Sequence, residues 1–260
     1  MDEVHGIWVI DLDGVVWRGD QVLPGAPQAI ERLRSMGREV LFVTNNALLT
    51  IDEYVRKLGS MGIDISEDGI LTSAQAAASL LRAGERVLVC AGAGVKEAVA
   101  RSGAIMAPLP PVDTVVVGWH LDFDFEELTH TTRAIHQGAR LIGTNEDATY
   151  PVPEGLLPGG GALLAAVATA GEVEPVVAGK PHEAMVELIK QHILSTPRLA
   201  GRNIEMVVGD RPMTDGKLAQ RLEAPFTLVL SGVLRGGVLD IQPAPVAKVN
   251  TLLAAVNQLH

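Results

Sequence analysis

Asp11 and Asp13 stand one residue apart at the end of an apolar run, in "VIDLDGVVW" (9–17). Alone, such a stretch reads as a strand that ends in a polar turn. Further along, Thr44 and Asn45 close "LFVTNN", Lys180 follows "VVAG", Asp210 closes "MVVGD" and Asp215 comes five residues later. Two carboxylates, a hydroxyl, an ammonium and two more carboxylates in one place suit phosphoryl transfer. That reaction needs an in-line nucleophile, positive charge for the equatorial oxygens and a proton for the leaving group. A carboxylate can attack phosphorus and so divide one hard step into two. Crowded carboxylates resist ionising, and a Mg²⁺ ion relieves the crowding through carboxylate, water and phosphate ligands. Lys180 and the Thr44 hydroxyl would hold the remaining phosphate oxygens.

These residues need a scaffold that gathers strand ends. Residues 7–10, 39–44, 86–91, 114–119, 139–144, 205–210 and 226–231 are apolar, β-branched runs, the pattern of parallel strands buried on both faces. Helix-like segments alternate with them at 26–36, 50–62, 74–83, 94–102, 125–137, 160–170, 182–194, 215–222 and 246–258. The alternation predicts an α/β protein with largely parallel sheets. Polar breaks at "RAGER" (82–86) and "AGEVEPVVAGKP" (170–181) divide it. The expected domains are a discontinuous core, 1–80 and 176–260, and an inserted α/β unit, 81–175. Ligands of open parallel sheets sit at the carboxyl ends of the strands, where the acidic and basic residues fall. An inserted unit of this size would close over a small ester, exclude bulk water and read its non-phosphate part.

In order along the chain, "DLDGVVW", "TNN", "GKP" and "GDRPMTDG" resemble the four motifs of the haloacid dehalogenase-like phosphatase superfamily. The particular resemblance is to its NagD-like branch, which includes p-nitrophenylphosphatases and pyridoxal-phosphate and phosphoglycolate phosphatases. "GTNEDATYP" (143–151), "PGGGAL" (158–163) and "LVLSGV" (228–233) extend it over almost the whole chain. It implies a Rossmann-like parallel-sheet core with a large inserted α/β cap domain, and Mg²⁺-dependent hydrolysis of small phosphomonoesters through an aspartyl-phosphate. Asp11 would be the nucleophile and a metal ligand. Asp13 would be the general acid, then the base for water, with its backbone carbonyl on the metal. Thr44 and the Asn45 backbone would bind phosphate, Lys180 would neutralise it, and Asp210 would be the main acidic metal ligand. Asp215 would lie near the metal or hold Lys180. In the cap, Asn145, Asp147 and Tyr150 are the candidates to read the substrate. Arg211 would either meet an anionic substituent or stay solvated. Ala47 stands where the branch often has serine, and Glu146 where it usually has proline.

The net charge of −10 argues against nucleic acid as a partner. A small phosphorylated metabolite is the expected partner, with a homodimer through an apolar cap face. No apolar stretch is long enough for a bilayer, the acidic N-terminus lacks a signal-peptide pattern, and the single cysteine, Cys90, fits a reducing compartment, so a cytoplasmic location is expected. Cys90 reads as a small buried hydrophobe, and the histidines show no zinc spacing. Among rival functions, a phosphomutase would use the same nucleophile, whereas a dehalogenase would need neither Asp13 nor the acidic pair Asp210 and Asp215. A non-catalytic binding protein on the same fold is at odds with intact motif carboxylates. A nicotinamide enzyme rests only on Gly92 and Gly94, with Glu97 where the third glycine belongs.

Overall fold

The computed structural model describes residues 5–152, 155–232 and 241–259, with the backbone alone at Pro151. Met1–Val4 and Val233, the last residue of the 228–233 segment, lie outside them. Six parallel strands form the core sheet, in the order Ala247–Val249, Phe226–Val229, Ile204–Gly209, Ile7–Ile10, Glu39–Thr44, Ile70–Thr72. Both faces are covered, which is why these strands are apolar throughout rather than alternating. Ile7, Val9, Leu41, Val43 and Val207 pack on one face. Trp8, Ile10, Val40, Phe42 and Val208 pack on the other, against Ile30 and Leu33 of the helix Ala26–Ser35 and Leu58 of the helix Ile51–Ser60.

A second parallel sheet has the order Val176–Val177, Arg140–Gly143, Thr114–Val117, Arg86–Cys90, Ile105–Met106. The helix Ser73–Ala78, opened by a Thr72–Gln75 capping box, joins the two sheets. Its alanines belong to one apolar cluster that also holds Val43 of the core and Val87, Val116 and Ile142 of the second sheet. The sequence division at 176 falls inside this second unit, because Val176 and Val177 pair with Ile142 and Gly143. The "VVAG" segment before Lys180 is therefore a two-residue edge strand of the inserted sheet, not a core strand.

Several short elements escaped the sequence pattern, among them Ile105–Met106 and the hairpin of Trp17–Arg18 with Gln21–Val22. Ile70–Thr72 is only three residues long, and Ala247–Val249 lies within the segment 246–258 read as helix, which starts at Leu252 behind the Thr251 cap. The antiparallel hairpin Thr149–Val152 and Gly155–Pro158 contains prolines, which tell against a strand unless it lies at an edge. Among the described residues no helix is long and apolar enough to cross a membrane.

Candidate active site

The core strands Ile7–Ile10 and Ile204–Gly209 are neighbours, and the chain runs outward from them in opposite directions. This is the switch point at which such sheets bind ligands. Asp11 follows the first strand and Asp210 the second, so two carboxylates leave adjacent parallel strand ends. The Asp11 N–H still donates to the Val208 carbonyl at 2.9 Å, which extends the ladder to the functional residue. Gly14 has a φ of +84°, and a Cβ there would lie 2.5 Å from Asp210 Oδ2. The glycine of "DLDG" thus makes the turn and leaves room for the acid next door. Asp215 returns to the site through the π-helical turn Pro212–Gly216, and its Oδ2 accepts from the Arg211 N–H at 3.1 Å.

One carboxylate oxygen each from Asp11, Asp210 and Asp215 lies within 4.8 Å of the others, and all three residues are buried. Lys180 Nζ donates to Asp11 Oδ1 at 2.7 Å, Asp215 Oδ1 at 2.7 Å and the Val43 carbonyl at 2.9 Å. All three ammonium protons are therefore engaged. Burial pulls the Lys180 pKa down, but Asp11 and Asp215 outweigh it and hold the group above the usual ammonium range. Burial pushes the Asp11 carboxyl well above its usual range; Lys180 pulls it down, and Asp215 and Asp210 push it further up. The three carboxylates outnumber the Lys180 ammonium, and together they are an oxygen donor set of the kind a divalent cation takes. Asp215 holds Lys180 and also belongs to the acidic cluster.

Thr44 is buried at the end of its strand, and its hydroxyl oxygen accepts from the Asn46 N–H at 3.0 Å. Asn45 fixes Lys180 from the backbone, because Asn45 Oδ1 accepts the Lys180 N–H at 2.7 Å and Asn45 Nδ2 donates to the Lys180 carbonyl at 3.1 Å. The Asn45 carbonyl accepts from Ser73 Oγ at 2.6 Å and Asn145 Nδ2 at 2.8 Å. The helix that follows is capped by Thr50, not by either motif residue.

Residues of the inserted unit meet this cluster directly. Asp147 accepts from Asn45 Nδ2 at 2.9 Å and pairs with Arg211 Nη1 at 3.0 Å, while Arg211 Nη2 donates to the Thr149 carbonyl at 3.1 Å. Arg211, which also lines the cleft, thus ties the two units together. Tyr150 donates to Asp13 Oδ1 at 3.0 Å, and the Trp17 indole N–H reaches the same oxygen at 3.0 Å. Burial, then Asp13, pushes the Tyr150 phenol well above its ordinary range, so it stays a donor. Asn145, Asp147 and Tyr150 all bond to core residues. Ala47 is fully buried in the apolar cluster, and Glu146 pairs with His182 at 3.0 Å.

Sequence reasoning left Asn46, Trp17 and Trp119 out of the site, although each stood inside or beside a quoted segment. Trp119 lies in the cleft with its ring 4.2 Å from that of Tyr150. The free volume of this cleft is about 50 Å³. A water needs about 10–15 Å³ on this measure, so it holds a few waters or a phosphoryl group. A second group of metal-ligand types, Cys90, His120 and Glu127, meets in the inserted unit. There His120 is satisfied by Glu127 at 2.7 Å and the Gly118 carbonyl at 2.9 Å, and burial pushes the Cys90 thiol up to about 12.

The haloacid dehalogenase-like hydrolase profile matches residues 8–105, and an HAD-hydrolase-like profile matches 177–255. The D-glycerol 3-phosphate phosphatase of Mycobacterium tuberculosis is 36% identical over 242 residues, which is 88% of this chain and 64% of that protein's length. The chain therefore spans just under two thirds of that relative. A crystal structure of the glycerol phosphate phosphatase from the same organism in complex with magnesium superposes with a TM-score of 0.84 at 33% identity, covering 98% of this chain and 77% of that one. The p-nitrophenyl phosphatase of Archaeoglobus fulgidus superposes with a TM-score of 0.86 at 27% identity, covering 99% and 100%.

Proposed function

The chain belongs to the haloacid dehalogenase-like hydrolases, and on that premise we propose that it is a Mg²⁺-dependent phosphatase of small phosphomonoesters. The observation that carries the reading is the buried meeting of Asp11, Asp210 and Asp215 around Lys180 at the sheet's switch point. An Asp11 oxygen attacks phosphorus in line, and the bond from phosphorus to the ester oxygen breaks. Asp13 gives its proton to that departing oxygen. Asp13 then takes a proton from water as the water oxygen attacks the aspartyl-phosphate, which frees phosphate and restores Asp11. Thr44 and the Asn45 N–H receive phosphoryl oxygens. Lys180 acts through its charge, since its three protons already hold Asp11, Asp215 and Val43. Asp11, Asp210 and the Asp13 carbonyl would hold Mg²⁺, with Asp215 beside it, and the ion supplies positive charge to the phosphoryl group when bound.

The inserted unit acts as the cap, with 81–177 as its extent, and the cleft it shares with the core seats the phosphoryl group. Pairing of two chains through the cap fits the exposed Ile105, Met106, Leu121 and Phe125, and sedimentation would report it as a doubled mass. Phosphate release measured across glycerol 3-phosphate, sugar phosphates, phosphoglycolate, pyridoxal phosphate and p-nitrophenyl phosphate tests the activity. Release should require Mg²⁺ and stop on chelation. Turnover that persists without metal would refute the metal dependence in this reading.

A further inference from the structure

A chain of directed donors converges on one oxygen of Asp13. The Leu48 N–H donates to Asn46 Oδ1 at 3.1 Å, which turns the Asn46 amide nitrogen toward the Tyr150 hydroxyl, 3.3 Å away. A phenol oxygen that accepts there must send its own proton elsewhere, and Asp13 Oδ1 lies 3.0 Å away. The Trp17 indole, which can only donate, reaches that same oxygen at 3.0 Å. Trp17 is a core residue stacked on Tyr54. Tyr150 is held from the cap side, where its ring lies against Trp119 and the Trp119 indole N–H donates to the Pro158 carbonyl in the facing strand at 2.9 Å.

We infer that Tyr150 is the positioning residue for the acid–base carboxylate, and that with Trp17 it occupies Asp13 Oδ1 so that Oδ2 is the oxygen that exchanges the proton. The inference rests on the acid–base role proposed above for Asp13. The Oδ2–H bond breaks as the ester oxygen gains its proton. A new Oδ2–H bond forms as water loses one, so the carboxyl ends as it began. Because Tyr150 is carried by the cap hairpin, both donors reach Oδ1 only when that hairpin lies on the core. Trp17 supplies its donor from the core and Tyr150 adds the second from the cap, which gives Tyr150 a task other than reading the substrate.

The test is kcat/KM for an alkyl and a nitrophenyl phosphate, since this ratio covers departure of the leaving group and excludes hydrolysis of the phospho-enzyme. An alkoxide needs the proton and nitrophenolate hardly does. Tyr150→Phe keeps the ring on Trp119 and removes one charge-assisted hydrogen bond. It should lower the alkyl-ester value by about tenfold to a hundredfold and the nitrophenyl value by less than about threefold. Trp17→Phe should show the same asymmetry. In an Asp13→Asn background, Tyr150→Phe should add less than about twofold. Equal losses for both esters, or full additivity with Asp13→Asn, would overturn the positioning role. If Asp13→Asn itself spares the alkyl ester, the acid role fails. If it does not and Tyr150→Phe is silent, only this inference falls.

Discussion

Asp11→Asn is expected to lower turnover by about 10⁴-fold or more while the chain stays folded. The amide matches the carboxylate in shape but cannot attack phosphorus. Stability should hold or rise, because burial already pushes the Asp11 carboxyl up and the substitution removes one of three crowded charges. Lys180 keeps Asp215 and Val43 as partners. Rapid acid quench followed by peptide mass spectrometry should find phosphate on Asp11 in the unaltered enzyme and on no residue of the variant. Undiminished turnover, or phosphate on another side chain, would contradict the covalent route.

Lys180→Met should remove both activity and much of the stability. Lys180 is 3% exposed and sits between two carboxylates, and breaking a buried pair by deleting one partner costs about 3–5 kcal/mol. The sign of its pH dependence follows from Asp11. Without the ammonium that lowers it, the Asp11 pKa in the folded protein climbs further above the unfolded value of about 4. The folded variant then binds more protons than the unfolded chain between those two values, so its stability falls as pH rises through that window. Urea denaturation with chelator present should therefore show a larger deficit at pH 8 than at pH 5, and Mg²⁺ should restore part of it. An equal deficit at both pH values would mean that Lys180 contributes packing rather than charge.

The elements and the motif residues were legible because their signals are local. The strands at 7–10, 39–44, 86–90 and 204–209 lie within a residue or two of where β-branched apolar runs predict them. What escaped was short or carried proline. The hairpin of 149–158 is the costly miss for function, since it carries Tyr150. Asn45 adds a role that its place after a strand did not suggest, since its side chain holds the Lys180 backbone.

By itself the sequence determined an alternating α/β chain, the presence of an inserted unit and the placing of acidic and basic residues just past apolar runs. Hydrophobic period and turn chemistry act over a few residues, and a linear reading can follow them. Only the tertiary structure decided which ends face one another, for Lys180 lies 169 residues from Asp11, and Tyr150 lies 137 from Asp13. Hydrogen bonds and charge act over a few ångströms of space regardless of sequence distance. The partners that fix Lys180, Asp215, Arg211 and Tyr150 follow from sheet order and from the seating of the cap on the core.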